Sequence, residues 1–595
     1  MILKPSSQLL YGRDAGDATA PEVGVYLPVG AVFHGVDPTE ETFLDVLATL
    51  SRDDTLFHAA RLNIIVSGEG DADVKSRQER AIANICAPHH LQSINAFAAG
   101  CAKNSAPIVF FTGQLRELMR WAALHCRNLP GDGRTYEDPE ARACFLKAAL
   151  IASDVWARRV FADKLTFDGD VSLVRRRALG AFRKGVEEAG IAPHMGIAMG
   201  RGLALFTDFL PSHLPQFGAE FERATGLTVR QYLGCAMTMA LYTMMDRKEG
   251  PLFNRETVAA TTARSELYPR FFDLVSQAPA RMARSFWMGF DEAGYRALRE
   301  RPVMITDDGR GVVLDPTFFI ERISIGPLFV VAAQLKQKAF SAFGDAFEQY
   351  AADILRRMYP RRPGLVDRAR FGLGGRDGRG REFEVDAVVL DVREIAVVEM
   401  KAAFLTEKSV NHRDPDALVA ELRAKYGAAS ESNGRDKGVA QLARSVGAIV
   451  RGEWSGPDGE FEDAAIVHPV LVVHDGRLDA PGLGNFLELD FRALLGVVPL
   501  TRRVAPLTVM TVQDLESLER SVEDFSLMGL LRDYDRECPD RMRSLHNFIV
   551  YSDYARRILP SGFLIDRSLE ALDLLQAELF PEARMPDRSW GENLR

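Results

Sequence analysis

Through the first 300 residues, apolar side chains recur at three- and four-residue spacing, the period of helices that bury one face. Segments 76–97, 114–125, 139–161 and 173–189 carry this pattern most clearly. Short strands are expected at 23–34 and 62–66. Thr225-Gly-Leu-Thr228 ahead of Val-Arg-Gln-Tyr-Leu reads as a turn, with Thr228 capping the next helix. Near residue 301 the texture changes. Pro302-Val-Met-Ile-Thr, the turn Asp307-Asp-Gly309 and Val312-Val-Leu predict a β-hairpin. An apolar run from Ser324 to Val331 then precedes a helix expected from Ala332.

From 332 to 500 the periods alternate. An amphipathic helix carries Phe343, Phe347, Ala351, Ile354 and Leu355, and a long Arg/Gly loop follows it. Strands are expected at 382–390 and 395–404, joined by the charged turn Asp391-Val-Arg-Glu394. A polar loop, a helix at 437–450 and an apolar strand at 464–474 come next. A strand at 507–512 and helices near 514–538 and 541–558 follow. Helix–strand–strand–helix–strand is an α/β order, with helices covering a central sheet. The expected units are a mostly helical region 1–300, a hairpin connector 301–331, an α/β core 332–500, and a segment 501–595 that adds a strand and helices. The chain has no internal repeat and no GxxxxGK[ST] loop, so an ATPase motor has no support.

The strand period places candidate chemistry on one face. Glu399 and Lys401 point the same way as Ile395 and Val397, while Ala396, Val398 and Met400 point the other. Glu384, Asp386 and Val388 share a face of the preceding strand, and pairing across the short turn brings Asp386 beside Glu399. Burying two carboxylates and an ammonium among valines is costly without compensation, and a divalent cation supplies it. Two carboxylates, with water and substrate phosphate completing the shell, suit Mg²⁺ or Mn²⁺.

Asp386, twelve intervening residues and then Glu399-Met400-Lys401 resemble the D…ExK signature of the PD-(D/E)xK nuclease superfamily. Gly344-Asp-Ala-Phe347-Glu348 is similar to the GxxFE start of the first core helix in many members. Lys437-Gly-Val-Ala-Gln441-Leu442 resembles the helix after the catalytic strand. ExK alone is uninformative; the weight lies in the conjunction. The resemblance covers residues 332–500 and implies a restriction-endonuclease-like core, a mixed central sheet flanked by helices. It implies Mg²⁺ dependence, with Mn²⁺ as a substitute, and phosphodiester hydrolysis. It makes Asp386, Glu399, Lys401, Glu348 and Gln441 the expected catalytic set. Asp386, Glu399, Glu348 and Met400 are the expected metal contacts. Val385 stands where the superfamily's name has Pro, and Ser445 where an exonuclease-like branch has Tyr.

Charge sharpens this picture. The formal net charge is −9, which argues against coating nucleic acid through bulk charge. Yet the span 356–381 holds nine Arg and two Asp, a local balance of +7. Its glycines at 372, 374, 375, 378 and 380 suggest a mobile segment able to follow phosphates. Arg368, Arg370, Arg376, Arg379 and Arg381, with Lys437, are the expected nucleic-acid contacts. Lys is scarce, 13 of the 73 basic residues, so Lys401 is a less casual choice than an Arg.

Six cysteines are scattered without a CxxC pair, as expected of free thiols in a reducing compartment. Cys86, His89, His90 and Cys101 could be drawn as a zinc site, but the two cysteines fit an amphipathic helix better. His412 lies in a polar loop and reads as exposed. No signal-like leader or spanning apolar run is found, and the expected location is cytoplasmic, without membrane contact. The leading expectation is a DNA endonuclease of restriction-like or anti-phage defence type, acting on duplex DNA. For region 1–300 a recognition domain, a platform for a protein partner or homo-oligomer, and a trigger sensor all stay open. A DNA-binding or assembly subunit, and a nuclease for RNA or branched repair intermediates, stay open as alternatives.

Overall fold

A computed structural model of the chain describes residues 2–3, 23–67, 74–101, 105–127, 138–161, 195–243, 252–260, 262–288, 294–364, 366–406, 409–410, 415–427, 438–497 and 502–579. The helix expected at 173–189 lies outside the described residues, as do His412 and Lys437. The architecture is mixed α/β.

In the N-terminal half, helices Arg52–Ser67, Thr112–His125 and Pro139–Phe161 pack around one apolar cluster that includes Leu56, Leu118 and Ile151. The strand expected at 62–66 is instead the last part of helix Arg52–Ser67. Leu62, Ile64, Ile65 and Val66 fit either period, and Asn63 among them donates to the Leu314 carbonyl (3.1 Å). Here Asp53 and Asp54 favour a helix N-terminus, and the helix runs through. The strand expected at 23–34 is shorter: Val23–Tyr26 pairs in parallel with Ser105–Ile108, and a 3-10 turn begins at Val29. The predicted hairpin forms between Val303–Ile305 and Arg310–Val313, with Gly309 at φ 81°. The apolar run after Ser324 is helical. Asp315 caps Pro316–Ser324 by accepting from the Phe318 N–H (3.0 Å), and each of Pro316–Ser324 and Gly326–Leu335 has Pro in its first turn.

The elements that carry the site are numbered from here. They are α1 (Gln337–Met358), β1 (Ala369–Arg376), β2 (Glu382–Asp391), β3 (Glu394–Lys401), α2 (Pro415–Tyr426), α3 (Val439–Val450), β4 (Ile466–Val473), α4 (Leu483–Leu495), β5 (Arg503–Val504), β6 (Thr508–Thr511) and α5 (Val512–Ser521). The sheet order is β5-β4-β3-β2-β1, with β6 also on β4. β2 runs antiparallel to β1 and β3, whereas β4 is parallel to β3, β5 and β6. Both faces are covered. Val398, Met400, Val470 and Val472 share a cluster with Phe343 and Phe347 of α1. Val397, Leu471 and Val473 pack with Leu442 and Val446 of α3. That explains the near-continuous apolar run of β3 and β4.

The α1-side cluster runs from Met199 to Ala571, so helices Met195–Leu203 and Val229–Thr243 share one core with α1 and α5. It crosses the boundary expected near residue 301. A buried ion pair ties the halves: Arg201 Nε donates to Glu516 Oε1 (2.7 Å), which also accepts from the Tyr350 hydroxyl (2.6 Å). Among the described residues no single helix is long and apolar enough to cross a membrane.

Candidate active site

The β2–β3 ladder starts at Asp391↔Glu394 and ends at Val398↔Ala387. One rung further would set Asp386 opposite Glu399, and there the strands part. Asp386 Oδ2 instead accepts the Met400 N–H (2.6 Å), which fixes the carboxylate beside β3.

The cause of the parting lies in the hairpin. Gly372 sits between the rungs Phe371↔Ala387 and Leu373↔Val385, at φ 58°, a left-handed conformation that glycine adopts without strain. Across that rung the odd-numbered residues change sides. Phe371 and Ala387 join the α1 cluster, Leu373 and Val385 the α3 cluster. The outer half of the hairpin therefore swings over α3. Phe383 meets the Trp454 ring edge-on (5.1 Å), and Gln441 Nε2 donates to the Glu384 carbonyl (3.0 Å). Gln441 thus holds the backbone two residues before Asp386 and acts on the site through β2.

Glu399 is 2% exposed. Lys401 Nζ lies 2.6 Å from Glu399 Oε1. The approach is off hydrogen-bond alignment, so that oxygen has a charge partner but no well-aligned donor. Glu348 arrives from α1, with Oε1 3.9 Å from Lys401 Nζ. Burial raises all three carboxyls above their usual range. Glu399 goes well above it, Asp386 is raised, and Glu348 is pushed up to about 7 with the Asp386 charge adding to burial. Burial disfavours the Lys401 ammonium, but Glu399 and Asp386 outweigh it and hold the proton on.

Three carboxylates and one ammonium leave two negative charges uncompensated when all are ionised. Among the described residues no three His, Cys, Asp or Glu side chains enclose a metal ion by themselves. Mg²⁺ keeps several waters and takes one or two carboxylates rather than an all-protein cage. Asp386 and Glu399 could supply those two, with Glu348 bordering them.

The arginine segment is not the loop expected from its glycines. Phe371 and Leu373 each find an apolar cluster, so the stretch becomes β1, docked through Gly378 N–H to Glu453 (2.9 Å). Its cations are largely paired. Arg368 meets Asp391 (3.3 Å) and covers the Tyr359 ring, Arg376 meets Glu382 (2.7 Å), and Arg381 meets Asp377 (2.7 Å). Arg370 has its Nε buried without a hydrogen-bond partner. Arg379 is fixed through its backbone N–H to Asp377 (3.0 Å).

Glu384, absent from the set expected from the sequence, also bears on the site. Its charge raises both Asp386 and Glu348, and its two-residue spacing from Asp386 was the available signal. His90 Nδ1 accepts weakly from the Ala87 N–H (3.4 Å) and stacks near His89, a helix-start arrangement rather than a zinc set. Compared with family models, curated proteins and solved structures, the chain matches none.

Proposed function

We propose that the chain is a Mg²⁺-dependent nuclease of the PD-(D/E)xK type, hydrolysing phosphodiester bonds in DNA. One observation carries this reading: the buried Glu399 carboxylate, paired among the described residues with Lys401 and set beside Asp386 and Glu348 at the end of a parting strand pair. An apolar sheet does not keep such an acid cluster for stability, because uncompensated buried charge costs several kcal/mol, on the order of 3–5 when one partner is missing.

Asp386 and Glu399 would hold the ion, with the Met400 main chain alongside. The bound ion supplies charge neutralisation for the scissile phosphate and activation of the attacking water. Lys401, kept protonated by its carboxylate neighbours, presents a positive charge where the phosphorane develops negative charge. Glu348, pushed up to about 7, is tuned to take a proton from water near neutrality and release it again. Gln441 keeps Asp386 in place through the Glu384 backbone.

The test is cleavage of supercoiled and linear DNA with Mg²⁺ by the wild-type protein, Asp386→Asn and Lys401→Ala. Each substitution should lower the rate by about 10²–10³, the loss typical of removing one transition-state contact. Equal cleavage by all three, or DNA binding without cleavage under any divalent cation, refutes the reading in favour of a binding subunit.

A further inference from the structure

Beside the acid site lies an aromatic surface that the chemistry above does not use. Phe329 of helix Gly326–Leu335 is 42% exposed, and Phe340 of α1 and Phe404 beyond β3 are half-buried. The Phe329 ring lies 6.0 Å from Phe340 and 5.7 Å from Phe404, both tilted or edge-on. Below them the His474 ring stands edge-on to Phe343 (5.1 Å), Phe347 (5.4 Å) and Phe404 (5.3 Å), filling the floor.

The surface is rigid and continuous with the site. Lys425 and Tyr426 donate to the carbonyls of Phe404 and Ala403, and Asp475 accepts the Leu405 N–H (3.0 Å). Phe404 is therefore fixed three residues past Lys401. On α1, Phe340, Gly344 and Glu348 follow at four-residue steps and so share one stripe. A Cβ built on Gly344 would meet nothing within 4 Å, so the stripe stays open between the rings and Glu348.

Charge selects the occupant. Residues 332–342 contain no Asp or Glu, and Lys336, four residues before Phe340 and seven after Phe329, is exposed with no ion pair among the described residues. Aromatic rings with an ammonium group on the same stripe and no acid in that segment match a strand whose bases are unstacked and whose phosphates are exposed. A duplex hides its base faces and has no use for the rings.

We infer that Phe329, Phe340 and Phe404 form a stacking shelf for the unpaired bases of single-stranded DNA that runs along α1 to Glu348. The destination of that strand rests on the nuclease reading; the stacking itself does not.

The experiment uses full-length Asp386→Asn protein, so that the strand is bound and not cut. Anisotropy of a labelled single strand and of a blunt duplex is measured, with quenching of 2-aminopurine placed in the strand as a stacking readout. The single strand should bind about tenfold more tightly than the duplex. Phe329→Ser and Phe340→Leu should each weaken strand binding about tenfold and abolish the quench, leaving duplex binding unchanged. Phe329→Tyr keeps a ring and should keep both signals; it also controls for folding. Equal affinity for strand and duplex, or an unchanged quench in Phe329→Ser, overturns the shelf, as when the rings serve a protein partner or the core alone. Failure of the nuclease reading appears elsewhere, as equal cleavage by wild type and Asp386→Asn, and leaves these readouts intact.

Discussion

Glu348, Asp386 and Glu399 share a single ammonium, and their titration has a sign that can be worked out. Each carboxyl has its folded pKa above the unfolded value, so protonation favours the folded state. That contribution is complete below the unfolded pKa, about 4. It is lost as pH rises through the folded values, which for Glu348 is about 7. Metal-free protein should therefore melt at a lower temperature at about pH 8 than at about pH 6. Mg²⁺ should raise the melting temperature more at the higher pH, because its ligands must first lose protons. Glu399→Gln should stabilise the metal-free protein at the higher pH and blunt the Mg²⁺ response. Thermal melts across pH decide it; a Mg²⁺ shift independent of pH counts against a cation between these carboxylates. Strand alternation made Asp386, Glu399 and Lys401 legible in the sequence. The Asp386 bond to the Met400 N–H was not, because it depends on a ladder stopping at one rung.

The β1–β2 hairpin is an element whose function is in its bend. Gly372→Ala should cost roughly 1–2 kcal/mol of stability, from a left-handed backbone that Ala resists. Space is not the difficulty, since the nearest atom to a Cβ there is Glu384 Oε1 at 3.8 Å. Gln441→Leu should leave the melting temperature nearly unchanged while weakening Mg²⁺ binding by titration calorimetry, because it frees the backbone ahead of Asp386. An equal loss of both would give Gln441 a purely structural role. Elements of this region were unevenly legible. Helix α1 and strands β2 to β4 follow clear periods, whereas β1 hid its Phe371 and Leu373 among glycines and arginines. Helix α2 stood unread in a segment whose polar residues suggested a loop.

Across the whole molecule, two halves of different texture share one core. Local periodicity reports which face of a helix is apolar, not which partner covers it, so the texture change near 301 says nothing of the shared core that crosses it. Arg201→Ala, which strands Glu516 and Tyr350, should cost about 3–5 kcal/mol by denaturant melts. A fragment limited to 332–500 should fail to give a cooperative transition, since the α1 face that packs on Phe206 and Phe209 would be bare. A sharp two-state melt of that fragment would show the core to be divisible.

Helix Gly562–Leu579 packs on helix Met195–Leu203, where the Ser568 hydroxyl donates to the Gly196 carbonyl across 372 residues of chain. A contact of that span forms only after the 372 residues that separate its partners have been made, and long-range closure is slow. The helix bearing Glu348 buries its apolar face in the same core, so the closing of that contact and the setting of the acid cluster are steps of one folding unit.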